Sequence, residues 1–120
     1  LVFPSVWYEG QPLTVYEALA CGAPVIVSDA CAGREAVADG ETGFWFRSGD
    51  PDDLAAHLRR LTDDGLAARM GRAAHERYWA APLTLDAHLD RLEAVYGTVL
   101  REAAARARAH GPLGRPLATA

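Results

Sequence analysis

Three consecutive β-branched residues, Val25-Ile26-Val27, constrain this chain more than any other stretch. Branching at Cβ restricts side-chain rotamers in a helix and packs well on a pleated strand. An unbroken apolar run, in place of an alternating one, calls for a strand covered on both faces. Just upstream, the sequence from Pro12 to about Cys21 reads as a helix. Pro12 suits its first position, where a missing N–H has no intrahelical partner to lose. Gly22 is a natural carboxyl-terminal stop, and Ala23-Pro24 cannot continue the helix. Leu1 to Phe3, halted by Pro4 and Ser5, reads as another buried strand. Strand, helix and strand in that order make one step of a parallel sheet, so the expected class is α/β with helices flanking the sheet.

The rest of the chain extends this pattern. Arg34 to Ala38 look like one or two helical turns, Asp39 to Gly43 a turn, and Phe44 to Phe46 a short strand. Asp50 is placed to cap a helix that has Pro51 at its first position and Leu54, Leu58 and Leu61 along one face. Gly65 is expected to break it. A further helix from about Leu66 to Trp79 has Leu66, Met70, Ala73 and Tyr78 as inner candidates. Thr84 then caps a long helix over 84–109, whose Leu85, Leu89, Leu92, Tyr96 and Val99 form an apolar stripe in need of a partner surface. The aperiodic ending, 110–120, reads as a mobile tail. No internal repeat is visible.

With 120 residues, half of them hydrophobic, the chain has enough apolar material for one compact unit with a real core. A parallel sheet normally has more strands than this, and Leu1-Val2-Phe3 begins as though already in mid-sheet; both point to a piece of a longer protein. The net charge is −4, from 12 basic and 16 acidic residues, and every basic residue is a scattered arginine. That balance argues against a nucleic-acid partner. No membrane-spanning run or secretory leader is evident, which makes the cytoplasm or the cytoplasmic face of a membrane the expected location. Cys21 and Cys31 lack a metal or redox spacing and read as buried free thiols.

The candidate chemistry lies between Glu9 and Glu17, two acids with seven residues between them. The first turn of a helix leaves N–H groups without partners, and the aligned peptide dipoles put partial positive charge there, so an anion is stabilised at that end. The donors would be the amides of Leu13 and Thr14, with the Thr14 hydroxyl adding a bond to a diphosphate. Gly10 allows a ligand to approach the backbone closely, and Gln11 and Pro12 set the entry to the helix. Glu17 lies four residues after Leu13, on the same helical face and about one turn, ~5.4 Å, further on. A carboxylate there can accept from two vicinal hydroxyls, such as those of a ribose, and Glu9 could do the same for a sugar beyond the diphosphate. The bland alternative is a loop glutamate in water and an exposed helix glutamate.

Taken together, Pro4-Ser5, Glu9-Gly10, Pro12-Leu13, Glu17-Ala18, Ala20-Cys21-Gly22, Pro24-Val25 and Gly33-Arg34-Glu35 resemble the carboxyl-terminal half of retaining GT-B glycosyltransferases, in glycosyltransferase family four. Asp39-Gly40-Glu41-Thr42-Gly43 and Gly49-Asp50-Pro51 fit the same pattern, which covers about residues 1–100. The resemblance implies a partial Rossmann-like fold, with 1–109 forming the later part of a donor-binding domain. It implies a UDP- or GDP-sugar donor held without a cofactor or metal, and transfer that retains anomeric configuration. Glu9 would hold donor-sugar hydroxyls at the catalytic centre as a positioning group. Glu17 would hold the ribose, and the amides from Gly10 to Thr14 the sugar and phosphate. The acceptor domain and the basic pair for the diphosphate would lie upstream of Leu1, and the terminal helix would return to that amino-terminal domain. Peripheral membrane contact is an expectation for such an enzyme. A non-catalytic nucleotide-sugar binding module and an inactive structural fragment stay open as alternatives.

Other signals carry less. Asp50-Pro51-Asp52 has the form of a metal-binding Asp-x-Asp, but a helix cap explains it better. His57, His75, His88 and His110 lack paired ligand spacing. Arg34 could approach a phosphate or bond to water or Glu35. Trp7, Tyr8, Trp45 and Phe46 read as core aromatics, with Tyr8 of interest because it adjoins Glu9.

Overall fold

The three expected strands form one parallel sheet in the order β1 (Val2–Phe3), β2 (Val25–Ser28), β3 (Gly43–Phe46). The structure, a computed structural model, describes residues 1–110. Of the tail expected over 110–120, His110 is instead the last residue of a helix and residues 111–120 lie outside the described ones. The chain divides into two units, Leu1–Pro82 and Leu83–Ala120. The first contains the sheet, α1 (Leu13–Ala20), a 3₁₀ turn (Ala32–Glu35), α2 (Pro51–Arg60) and α3 (Asp64–Ala80). In the second, α4 (Leu85–His110) begins with the Thr84 hydroxyl accepting from the Ala87 amide at 3.2 Å. The stripe from Leu85 to Val99 is exposed.

β2 is the centre, and all four of its residues are buried. Val2, Ile26 and Phe44 stand side by side in register, as do Phe3, Val27 and Trp45. Val25 and Val27 pack with Val15 and Leu19 of α1, with Cys31 and Val37, and with Ala74 of α3. On the other face Ile26, Phe44 and Phe46 meet Met70, with Leu54, Leu61 and Leu66 closing around them. Each fully buried valine, isoleucine or phenylalanine among them contributes about 1.5–3 kcal/mol relative to exposure, and the β-branched run supplies both faces at once.

Glycines set the backbone approaches. A Cβ on Gly43 would lie 1.9 Å from the Val25 carbonyl oxygen, so only glycine fits where β3 begins its pairing. Gly22, at φ +71°, ends α1: its amide donates to Leu19 O at 3.0 Å and the next amide, Ala23, to Ala18 O at 2.8 Å. That pair of bonds is the Schellman arrangement expected of a glycine stop. α3 crosses there with Gly71 against Gly22, and the Trp79 indole donates to Ala20 O at 3.1 Å.

Several local expectations change. Pro12 is the N-cap and Leu13 the first helical residue. The turn after β2 is 3₁₀ and starts at Ala32 instead of Arg34. Gly65 does not end α2. That helix stops at Arg60, and Asp63 caps α3 by accepting from the Leu66 amide at 2.9 Å, so Gly65 falls in a first turn where its poor helix propensity matters little. Ala74 replaces Ala73 as the buried alanine of α3. In α2, Leu58 is 44% exposed, and His57 turns inward to stack on Phe44 with centroids 4.8 Å apart. Arg60 covers Phe44 as well, at 4.0 Å. Cys31 is a buried free thiol, but Cys21 is exposed because it lies one residue past the last turn of α1. Of the expected core aromatics Phe46 is buried, whereas Trp7 and Tyr8 lie exposed on the loop after β1.

Alanine normally stabilises a helix interior by about 1 kcal/mol over glycine. At Gly71 a Cβ would sit 2.4 Å from the Gly22 carbonyl oxygen, a backbone atom. Gly71→Ala is therefore expected to lower stability by roughly 1–3 kcal/mol in urea unfolding. At Gly97 of α4 the added carbon meets only the far end of the long Arg101 side chain at 3.2 Å, so Gly97→Ala should raise helix content by circular dichroism. A stabilised Gly71→Ala variant would contradict the close helix crossing.

Candidate functional site

The loop from Pro4 to Gln11 leaves the carboxyl end of β1 and delivers the chain to α1. Open parallel sheets present their ligand crevices at this end of the strands. Pro12 enters the helix extended, at φ −76° and ψ 93°, and no side chain caps that end. The first turn also contains no acidic residue. The Val15 amide turns back to Pro12 O at 3.0 Å. The amides of Leu13 and Thr14 have no acceptor among the described residues, and both residues are exposed, Leu13 by 64%. What remains is an open helix terminus with two spare donors and the positive end of the peptide dipole.

The two glutamates bracket this terminus. Glu9 is half-buried, and its Oε1 accepts from the Ser5 hydroxyl at 3.4 Å. Ser5 Oγ also takes the Trp7 amide at 3.2 Å, and the Glu9 amide donates to Trp7 O at 3.0 Å. Glu17 is exposed one turn into α1, and its carboxylate makes no hydrogen bond among the described residues. Gly10 and Gln11 are exposed, and a Cβ on Gly10 would meet nothing within 4 Å. The chain's own packing does not demand a glycine there.

The fold adds residues that the sequence did not assign. Glu35, at the end of the 3₁₀ turn, accepts a hydrogen bond from the Tyr8 hydroxyl through Oε1. This bond, reinforced by the negative charge of Glu35, holds the Tyr8 phenol above its ordinary pKa of 10.0. The Tyr16 phenol of α1 is raised as well, first by burial and then by the same carboxylate. Glu35 thus faces groups from two other segments, the loop and α1. The sequence held a hint in Tyr8, but nothing in it paired residues 27 apart. Arg34 does not bond to Glu35: its Nη1 donates to Asp29 O at 2.9 Å and its guanidinium lies 5.4 Å from the Trp45 ring centre.

The Asp50-Pro51-Asp52 segment is a helix cap. Asp50 Oδ1 accepts from the amides of Asp52 and Asp53 at 3.1 and 3.0 Å, and Oδ2 takes Arg47 Nη1 at 3.0 Å. Among the described residues no group of three histidine, cysteine or acidic side chains is arranged to hold a metal ion. Beyond the opposite end of α1, Cys21, Gly22, Ala67, Ala68, Gly71, Arg72, His75 and Glu76 line a wide depression of about 490 Å³, remote in sequence from Glu9 and Leu13.

Comparison with known proteins adds an independent finding. The sequence model of the family described as glycosyl transferases group 1 matches residues 1–77. The D-inositol 3-phosphate glycosyltransferase of Streptomyces bingchenggensis is 40% identical over 110 residues, covering 81% of this chain and 24% of that protein. Among solved structures, the sucrose-phosphate synthase of Thermosynechococcus elongatus superposes with a TM-score of 0.72 at 31% identity, over 84% of this chain and 25% of that one. Anabaena HepE, in complex with UDP and glucose, superposes with a TM-score of 0.70 at 22% identity, over 80% and 26%. The chain therefore spans about a quarter of the length of these proteins.

The raised Tyr8 group has a definite pH consequence. Its folded pKa lies above the unfolded value, so the stabilisation from its bond to Glu35 is complete below about pH 10 and is lost as pH rises through the folded pKa. In a tyrosinate absorbance titration Tyr8 is expected to ionise later than free tyrosine, and Glu35→Gln should bring it back toward 10.0. An unchanged titration curve in that variant would show that the two side chains do not interact in solution.

Proposed function

Since the chain belongs to the group 1 glycosyl transferases, we propose that it supplies part of the donor site of an enzyme that moves a sugar from a nucleoside-diphosphate sugar to an acceptor. The observation that carries this reading is the uncapped amino terminus of α1, with two spare amides and a glutamate on either side. A diphosphate provides the anion for the amides of Leu13 and Thr14, with the Thr14 hydroxyl and the Gly10 and Gln11 backbone alongside. Glu17 receives ribose hydroxyls and Glu9 the hydroxyls of the transferred sugar. UDP and GDP sugars are the donor class, and the UDP held by Anabaena HepE makes that nucleotide a reasonable first probe.

The finer reading places the chain in glycosyltransferase family four, with retention of anomeric configuration and no metal. It rests on the resemblance carried by Glu9-Gly10, Pro12-Leu13 and Glu17-Ala18, and the use of Asp50 as a cap is consistent with it. Departure of the nucleoside diphosphate builds negative charge on its terminal oxygens. Amides already aimed at that position stabilise the charge without reorganising, which makes electrostatic preorganisation the main catalytic contribution. Glu9 then orients the sugar and does not attack it. An amino-terminal domain of the same enzyme would bring the acceptor and further positive charge and would cover the exposed stripe of α4. The reaction would take place in the cytoplasm or at the cytoplasmic face of a membrane. A binding module without catalysis is the second reading, favoured by the absence of a basic side chain within the Glu9–Glu17 stretch.

Calorimetric titration with UDP, GDP and their glucose and mannose conjugates tests the site. Losing a carboxylate that accepts two hydroxyls costs about 1.5–3 kcal/mol, or roughly ten- to a hundredfold in affinity. Glu17→Ala is expected to weaken the free nucleotide by that factor. Glu9→Ala should leave the nucleotide nearly unchanged and remove the added affinity of the sugar conjugate. Normal binding of every ligand by both variants would reject the assignment.

A further inference from the structure

The loop that carries Glu9 and Gly10 holds itself together but is barely attached to the rest of the protein. Its bonds among Ser5, Trp7 and Glu9 are all internal. Among the described residues, one hydrogen bond ties residues 5–11 to another element, from the Tyr8 hydroxyl to Glu35. The two side chains are otherwise exposed, so neither is held there by burial.

The other end of that bond is firmly placed. Ala32 and Gly33 are buried, and a Cβ on Gly33 would come within 2.9 Å of Val27 Cγ2 and 3.3 Å of Val15 Cγ2. The 3₁₀ turn therefore lies directly on β2 and α1. The Arg34 amide donates to Cys31 O and the Ala36 amide to Gly33 O, at 3.3 and 3.1 Å, and Arg34 anchors its guanidinium on Asp29 O. The backbone at Glu35 is thus fixed beside a loop that, among the described residues, has no other hydrogen bond to another element, and precise sites depend on such supports.

We propose that Tyr8 and Glu35 form a latch that sets the position of Glu9 and Gly10 relative to the α1 terminus, and so controls how strongly the transferred sugar is recognised. Both are positioning residues. The inference rests on the donor-site reading and divides that site in two. The nucleotide side rests mainly on Leu13, Thr14 and Glu17 of α1 and depends little on the latch. The sugar side belongs to the loop and depends on it.

The division can be measured with the 120-residue chain, comparing UDP with UDP-glucose and GDP with GDP-mannose by calorimetry. For the pair that binds, Tyr8→Phe and Glu35→Ala should reduce the affinity ratio of sugar conjugate to free nucleotide by about five- to tenfold, a single hydrogen bond's worth. Affinity for the free nucleotide should stay within about twofold. Glu35→Gln, which keeps an oxygen acceptor for the phenol, should restore most of the ratio. Equal losses for nucleotide and conjugate, or no rescue by glutamine, would overturn the latch. So would an unchanged ratio in Tyr8→Phe and Glu35→Ala while Glu9→Ala lowers it, and that result would leave the donor site standing. If no nucleotide binds the wild-type chain, the donor site itself is wrong and the latch falls with it.

Discussion

Burial of β2 on both faces is the constraint on which the sheet-containing unit depends. A strand covered on both sides has no solvated face to fall back on, so the chain must supply two apolar layers. α1, the 3₁₀ turn and part of α3 build one, and α2 with the start of α3 builds the other. The loop from Pro4 to Gln11 inherits its position from this arrangement. β1 pairs with β2 and α1 packs on β2, so the residues between them emerge at the carboxyl edge of the sheet, with the open end of α1 behind them.

Glycine and charge then divide the labour along α1. At its carboxyl end every spare carbonyl is answered closely: Gly22 turns the chain, its neighbour Ala23 bonds back, and Gly71 of α3 lies against the turn. At its amino end the opposite holds, with no capping side chain, no acid in the first turn, and two amides left over. A helix in the same unit shows what a structural terminus looks like. α2 begins with Asp50 accepting two amides and with Asp52 and Asp53 in its first turn. The contrast between a satisfied and an unsatisfied helix start, in a chain able to build both, sets the α1 terminus apart.

The site is acidic around a positive helix end. Glu9, Glu17 and Glu35 surround it, while Arg34 is engaged with Asp29 and Trp45. Such a surface suits a ligand that presents hydroxyls at both ends and an anion in the middle, because carboxylates accept from the former and amides donate to the latter.

How much of this was legible beforehand depended on the range of the interaction involved. Val25-Ile26-Val27, Gly22, Asp50-Pro51 and Thr84 were read correctly because β-branching, a left-handed glycine and a cap act within a few residues. The Glu9 to Glu17 segment was visible for the same reason, since its members are close along one loop and one helix. His57 taking the inward place expected of Leu58, Ala74 that of Ala73, and the exposure of Cys21, Trp7 and Tyr8 were not visible. Helical periodicity names a stripe but not its rotation against a partner, and neither propensity nor spacing says which neighbour fills the space. The pairing of Tyr8 with Glu35 belongs to this second group. By itself the sequence determined the parallel α/β order and the helix start between Glu9 and Glu17, because those follow from local backbone chemistry. Tertiary structure alone decided which carboxylate anchors the loop, because a contact across 27 residues exists only once β2 has brought the two segments to the same edge.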